Sequence, residues 1–356
     1  MESIASPALE RKVTVGVDTH KHLHVAVALD ELGARLGELT ISADSAGYAA
    51  LADWAERLGR PGVFGIEGTG SYGVGLASFL RRRGHIIVEV NRGDRRGRRA
   101  NGKSDTLDAE AAARSVLAGQ ARATPKSADG VCEMIRQVKI ARDTAVKART
   151  QALITLKCIV VNAPAELREH LSQLTDKKLI DRCAALRPAT IDSTTASAKH
   201  TLRALARRWL TLANEISDHD RVLEQLTTAA APSLREGFGI GADTAAEMLI
   251  VFGDNPERIR SEAAFAKLCG VAPVPASSGK TSRHRLSRGG HRQANSALYR
   301  VVIVRMRFHQ PTIDYVARRS QEGRSKREII RCLKRFLARE IYGRVMTDHA
   351  LRTTTT

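Results

Sequence analysis

Four carboxylates in the first third of the chain occupy places where an acid is hard to keep without a partner. Asp18 closes the apolar run "VGVD", and Glu67 closes "FGIE". Asp105 and Asp108 lie in "GKSDTLDAEAAA", at the end of the basic run "NRGDRRGRRANGK". A carboxylate at the end of a buried strand is costly unless it is paired or ligates a metal. Side chains at i and i+3 of a helix share a face, so Asp105 and Asp108 point the same way. Two strand-end acids met by a DxxD helix start make an oxygen-rich set suited to Mg2+, which keeps open positions for water and phosphate. Two such ions about 4 Å apart could clamp the attacking and leaving oxygens of a phosphodiester. Singly, each acid has a simpler reading: Asp105 and Asp108 also suit the positive end of a helix macrodipole and its free N–H groups. The four together point to a metal centre.

A second reactive candidate lies in "VPASSGKTSRHRLSRGGHRQ", where Ser277 and Ser278 precede Lys280, Arg283, His284 and Arg285. A serine hydroxyl is a poor nucleophile until a base or metal activates it. Nearby cations would stabilise charge developing on an attacked phosphate. On local sequence alone, "ASSGK" reads as a flexible loop.

The elements that must position these residues follow from hydrophobic spacing. In residues 12–30, Val13, Val15 and Val17 alternate with polar or small residues, then Leu23, Val25 and Val27 do so, which reads as a β-hairpin. "SAGYAALADWAERLG" reads as an amphipathic helix, "GVFGIEGTGSYG" as a buried strand entering a Gly-rich turn, "GVGLASFLRRRG" as a helix closed by Gly84, and "HIIVEVN" as a strand. Strands paired first antiparallel and then alternating with helices indicate an α/β domain with a mixed sheet over residues 1–120.

Beyond Gly119 the strand signals stop. Met134, Val138, Ala141, Ala145, Ala148 and Ala152 recur at helical steps, as do Leu202, Leu205, Trp209, Leu212, Ile216, His219, Leu223 and Leu226. Both are seams of the coiled-coil type, joined by a polar stretch containing Pro164 and Pro188. An antiparallel helical hairpin or a dimerising coiled coil over 121–230 accounts for them, with His219 as a buried polar register device. A mostly helical region spans 231–345, and a tail 346–356 follows. It opens with Gly237, Gly239 and Gly241 turning the chain into a helix whose N-terminal N–H groups could grip a phosphate. Its last helix carries Ile329, Leu333, Phe336, Leu337 and Ile341 on one side and Lys326, Arg327, Arg331, Lys334, Arg335 and Arg339 elsewhere.

Charge narrows the partners. The 356 residues carry a formal net charge of +19, and residues 280–339 hold 17 Lys and Arg against 3 Asp and Glu. Such an excess favours a polyanionic partner through phosphate neutralisation and counterion release. Aromatics are only 4%, so base-stacking platforms are not advertised. The cationic residues expected on nucleic acid are Arg95, Arg96, Arg98, Arg99 and Lys103 in the first basic run, and Lys280, Arg283, Arg285, Arg288 and Arg292 around the serine loop. Arg331, Lys334 and Arg335 on the last helix complete the set. The five cysteines are far apart, with no zinc spacing, and the N-terminus "MESIASPALERK" lacks the apolar core of a signal peptide. A soluble, cytoplasmic protein without a membrane partner is the expectation.

Five motifs in order carry a resemblance: "VGVDTHK", "GIEGTGSYG", "GKSDTLDAEAAA", "GFGIGADTAAEML" and "CGVAPVPASSGKTSRHRLSRGGHRQANSALYR". Together they resemble the transposases of the insertion-sequence family that also contains the Piv DNA invertase. Over almost the whole chain, the resemblance implies an α/β RNase H/RuvC-like N-terminal domain, a long helical coiled-coil middle and a mostly α C-terminal transposase domain. It implies that Asp18, Glu67, Asp105 and Asp108 are DEDD acids binding Mg2+. The family's second active element, a serine just before glycine, falls on Ser278, with Ser277 adjacent. The implied activity is cleavage and rejoining of DNA strands, guided by a structured bridge RNA, with dimers assembling into a tetramer.

Other readings remain: a RuvC-like resolvase using water, an actin/hexokinase-type kinase, and a catalytically silent nucleic-acid scaffold. The DxxD pair, the basic tail and the lack of a second nucleotide-binding half weigh against the kinase.

Overall fold

The computed structural model describes residues 11–91, 104–187, 190–277, 279, 284–285, 287 and 289–354. The chain packs as two compact units, Met1–Gly130 with Gly253–Arg260, and Val131–Phe252 with Ser261–Thr356. The helical middle and the C-terminal region, expected to divide at 230, therefore share the second unit.

In the first unit, the described strands are β1 (Lys12–Thr19), β2 (Leu23–Leu29), β3 (Arg35–Ser42), β4 (Arg60–Glu67) and β5 (Ile87–Val90), in sheet order β3-β2-β1-β4-β5. β1, β2 and β3 pair antiparallel, whereas β4 runs parallel to both β1 and β5. The expected hairpin and mixed sheet are both present. β3 has no counterpart among the expected elements. It is an edge strand in which only Ile41 is fully buried, so its apolar alternation is weak.

Among the described residues, three helices cover the sheet: α1 (Ser45–Leu58), α2 (Val74–Arg82) and α3 (Asp105–Leu117). Val13, Val15 and Val17 are buried with Leu51 and Ala55 of α1 and Leu76 and Leu80 of α2. Each of these valine and leucine side chains contributes about 1.5–3 kcal/mol on leaving water. α3 packs against a different set, with Ala109 and Ala113 clustered with Val27 and Leu29. The segment Gly253–Arg260 joins this unit through Asn255, which accepts from the Ser127 N–H at 3.0 Å and donates to the Pro125 carbonyl at 3.0 Å.

The second unit contains α4 (Val131–Asn162), α5 (Ala165–Ser172), α6 (Asp176–Ala184), α7 (Thr194–Ala230), α8 (Pro232–Arg235), α9 (Ala242–Phe252), α10 (Glu262–Leu268), α11 (Arg292–Phe308), α12 (Gln310–Gln321) and α13 (Lys326–Thr354). Two short strands, β6 (Val274–Pro275) and β7 (His284–Arg285), pair antiparallel. α4 and α7 are antiparallel partners. Arg142 meets Asp220, the Arg149 guanidinium lies over the Trp209 ring, and Leu156 and Val160 pack with Leu202 and Ala206.

The α7 seam lies where its spacing puts it, with Leu202, Ile216 and Leu223 buried. On α4 the expected seam starts out of phase: Met134 and Ala141 are exposed, and Cys132, Ile135 and Lys139 are buried instead. The first turns of α4 also pack on α9, which turns a different face inward, and from Ala145 the seam runs as expected. α5 and α6 fall in the stretch whose sequence reads only as polar, where Leu167, Leu171, Leu179 and Ile180 close one end of the hairpin core. His219 is half-buried, with Nε2 3.8 Å from Glu215. None of the described helices is long and apolar enough to cross a membrane.

Candidate functional site

Two glycines set the geometry of the acids. Gly16 of β1 and Gly65 of β4 are direct partners in the parallel register. A Cβ added at Gly16 would stand 2.1 Å from the Ala109 carbonyl oxygen and 2.3 Å from the Ala113 nitrogen, and one at Gly65 would stand 2.5 Å from Val116 Cγ2. α3 therefore rests on the bare backbone of two strands, with Ala109, Ala112 and Ala113 buried beneath it. Strand side chains alternate, so Asp18 and Glu67, each two residues beyond its glycine, leave the sheet on the face that α3 covers.

The helix begins beside them. Ser104 is its N-cap, accepting from the Leu107 N–H at 3.2 Å, and Asp105 is its first residue. Thr19 Oγ1 donates to the Glu67 carbonyl at 2.7 Å and ties the two strand ends together.

Asp18 is only 7% exposed. His20 Nε2 lies 3.2 Å from Asp18 Oδ2 and 3.3 Å from Asp105 Oδ1. One atom from each of these three residues falls within 4.8 Å of the others, a spacing that could hold a metal ion. Burial pushes the Asp18 carboxyl above its ordinary range; His20 opposes this, while the charges of Asp108 and Asp105 add to it. Like charges gathered around a buried carboxylate are the condition that a divalent cation relieves, and the donor set fits one. A cavity of about 320 Å³ opens here, lined by Asp18, His20 and Glu67 together with Ser71, Tyr72 and Asn91.

The structure thus brings Asp18 and Asp105 to one His20 nitrogen, places Asp108 within electrostatic reach of Asp18, and sets Glu67 in the wall of the cavity that Asp18 lines. His20 was missed by sequence reasoning, although it stands two residues after Asp18 in "VGVDTHK". The paired glycines were missed as well. Their signal is the repeated Gly-apolar-acid pattern of "GVD" and "GIE".

Of the C-terminal candidates, Ser277 is exposed just after β6, Arg285 is exposed on β7, and Arg292 is exposed at the start of α11. Ser278, Lys280, Arg283 and Arg288 lie outside the described residues, as do Arg95, Arg96, Arg98, Arg99 and Lys103. On α13 the expectation of solvent-facing cations needs correction. Lys334 is buried, because Ala338, Ile341 and Val345 extend the packed face around to it. It bonds Asn295 Oδ1 at 2.6 Å, and burial pushes its pKa down. Arg335 bonds Glu262 at 2.9 Å. Phe336, expected on the buried side, is instead 49% exposed. Arg331 lines a cleft of about 730 Å³ together with Arg285, Arg319 and Arg324.

A further cluster escaped the sequence reading. Buried Lys139 of α4 bonds Asp243 of α9 at 2.7 Å and Asp143 at 3.1 Å. Arg142 and Arg300 also reach Asp243, at 3.3 Å and 2.7 Å. Burial pushes the Asp243 carboxyl up, but the Lys139 bond and the surrounding cations outweigh it and hold the group below its ordinary range. Lys139 stands in a helical apolar series, and nothing in its spacing marks it as buried.

Comparison with known families agrees with this layout. A family model described as Transposase, the DEDD type of IS110 elements, matches residues 15–163, which include both strand ends and α3. A second, described as Transposase IS116/IS110/IS902 family, matches residues 231–317. No curated protein matches the chain. With both family regions present in order, the chain belongs to the IS110 family of transposases, enzymes that act on DNA.

Proposed function

We propose that the protein cuts and rejoins DNA strands of an insertion element, using the acids of its RuvC-like first unit and a serine of its second. The observation that supports this most is the gathering of Asp18, Asp105 and Asp108 over the paired glycines, with Glu67 in the same cavity wall. In this reading Asp18, Glu67, Asp105 and Asp108 hold Mg2+, which when bound neutralises phosphate charge and polarises a phosphoryl oxygen. The acids' own part is to fix that charge beside one phosphate. Arg285, Arg292 and Arg331 hold the flanking backbone, contacts that position DNA without reading its sequence.

Ser278 is the proposed nucleophile. Its oxygen forms a bond to phosphorus as the strand's own P–O bond breaks, and the serine proton passes to the departing sugar oxygen. The phosphoserine keeps the energy of the broken bond, so a new strand end reseals it by the reverse exchange. A structured bridge RNA would supply the target choice, in keeping with an excess of cations and few aromatics. Assembly of dimers into a tetramer would place two DNA segments together.

The second reading is a RuvC-like nuclease using water, which needs the acids alone. Trapping the reaction on cognate DNA, digesting the DNA and mapping the adduct by mass spectrometry separates the two. A phosphoserine at position 278 is expected. An adduct on Ser277 moves the nucleophile by one residue. No adduct, with Ser278→Ala protein still recombining, favours water.

A further inference from the structure

His20 has no part in a four-acid centre, yet it stands in the middle of this one. Its backbone N–H donates to the Leu23 carbonyl at 3.1 Å, so the tight turn between β1 and β2 fixes where the residue sits. From there Nε2 reaches Asp18 Oδ2 at 3.2 Å and Asp105 Oδ1 at 3.3 Å, spanning the strand end and the helix start. Ligands at right angles about one ion, each roughly 2.1–2.3 Å from it, stand about 3.0–3.3 Å apart. The two separations match that edge length. Three donors from two independently positioned elements therefore surround a point that one ion could occupy with little movement of any of them.

We propose that His20 is a nitrogen ligand of the acidic centre, which makes the centre accept imidazole-tolerant ions such as Mn2+ and Co2+ in preference to Mg2+. The inference rests on the reading of the acids as a metal site and adds a ligand to it. Mg2+ takes oxygen donors almost exclusively, whereas first-row transition ions bind imidazole well, so replacing one carboxylate or water by Nε2 shifts the balance between them. The shift comes from the ligand set and requires no change in the fold.

The test uses the full-length protein and the metals alone. Co2+ is titrated into wild-type, His20→Ala, His20→Gln and Asp18→Asn proteins while the far-downfield proton spectrum is followed. In parallel, Mn2+ binding is measured from the free-ion electron paramagnetic resonance signal, with Mg2+ as competitor. A ligating imidazole gives a strongly shifted ring N–H resonance that disappears in D2O.

The wild type should show that resonance, and both His20 variants should lose it. Their Mn2+ affinity should fall about tenfold or more, while their Mg2+ affinity changes by less than about threefold. Unfolding curves with midpoints matching the wild type establish that the variants are folded. If Co2+ and Mn2+ bind wild-type and His20 variants alike and are lost only in Asp18→Asn, the acids form the site and His20 is merely an ion-pair partner, which overturns the proposal. If no divalent ion binds the wild type, the metal reading of the acids fails and the role of His20 fails with it.

Discussion

Aspartates are gathered in both units, and the two gatherings follow opposite rules. Asp243 has cations at bonding distance: Lys139 at 2.7 Å, Arg300 at 2.7 Å and Arg142 at 3.3 Å. Around Asp18, the neighbours that matter are two further acids and one imidazole. The outcome differs in sign, since Asp243 is held below its ordinary range and Asp18 is pushed above it. The cations around half-buried Asp243 join α4, α9 and α11, while Glu247 beside it, 3.7 Å from Lys139, is pushed up by burial as Asp18 is. What sets Asp18 apart is that acids crowd it and, among the described residues, only an imidazole stands at ion-pair distance, a setting that a cation from outside would relieve.

The contrast is easiest to break in the second unit. Asp243→Ala removes the shortest partner of buried Lys139 but leaves Asp143 at 3.1 Å and Glu247 at 3.7 Å, so the loss should lie at the lower end of the roughly 3–5 kcal/mol that breaking a buried pair costs. Urea unfolding should show that loss, and Mg2+ should not restore it. Gly16→Ala in the first unit comes next. Its Cβ meets backbone at 2.1 Å, so α3 must move off β1, at the upper end of the roughly 1–3 kcal/mol typical of overpacking. Divalent-ion binding should fall with it, because Asp105 and Asp108 travel on that helix.

Acid should separate the two clusters. Asp243 has a lower pKa folded than unfolded, so its contribution is present above the ordinary 3.8 and is lost as pH falls through the depressed value. Asp18, with a raised pKa, acts the other way and withdraws stability as pH rises past 3.8. In metal-free buffer, unfolding followed from pH 6 down to about pH 3 should therefore show Asp243→Asn losing less stability than wild type over the interval. Asp18→Asn should lose more than wild type. Equal pH slopes for all three proteins would erase the distinction.

The smallest effect belongs to the surface cations. Arg292→Gln and Arg331→Gln should each weaken DNA binding at every sequence and lower the slope of log affinity against log salt by about one. Lys334→Met should leave that slope unchanged, since Lys334 is buried against Asn295. A slope that falls for Lys334→Met would put that side chain on the nucleic acid after all.

Much of the fold and site is legible in the sequence where one residue decides one face. Alternation marks β1 and β2, and acids at the ends of apolar runs single out Asp18 and Glu67. Edge strand β3 is illegible because half of its side chains meet water and carry no pattern. Lys334 defeats the pattern because a helix packed on more than one neighbour widens its buried face beyond the apolar stripe. Lys139 and Asp243 are separated by 104 residues, and their pairing exists only once α4 and α9 are packed. His20 illustrates a different limit: its type and spacing are visible, but its distance to Asp105 depends on where α3 lies.

If the acids over Gly16 and Gly65 hold a divalent cation, thermal unfolding with and without metal must register it. An ion that binds only the folded state adds about 2.7 kcal/mol of stability at a hundredfold excess over its dissociation constant. Titrating Mg2+ and Mn2+ into the wild-type protein should raise Tm in a saturable way. Asp18→Asn should start from a Tm no lower than that of the metal-free wild type, since a repulsive charge has been removed, and should not respond to either ion. A wild-type Tm indifferent to both ions, or an Asp18→Asn protein that responds as the wild type does, would mean that these acids hold no such ion.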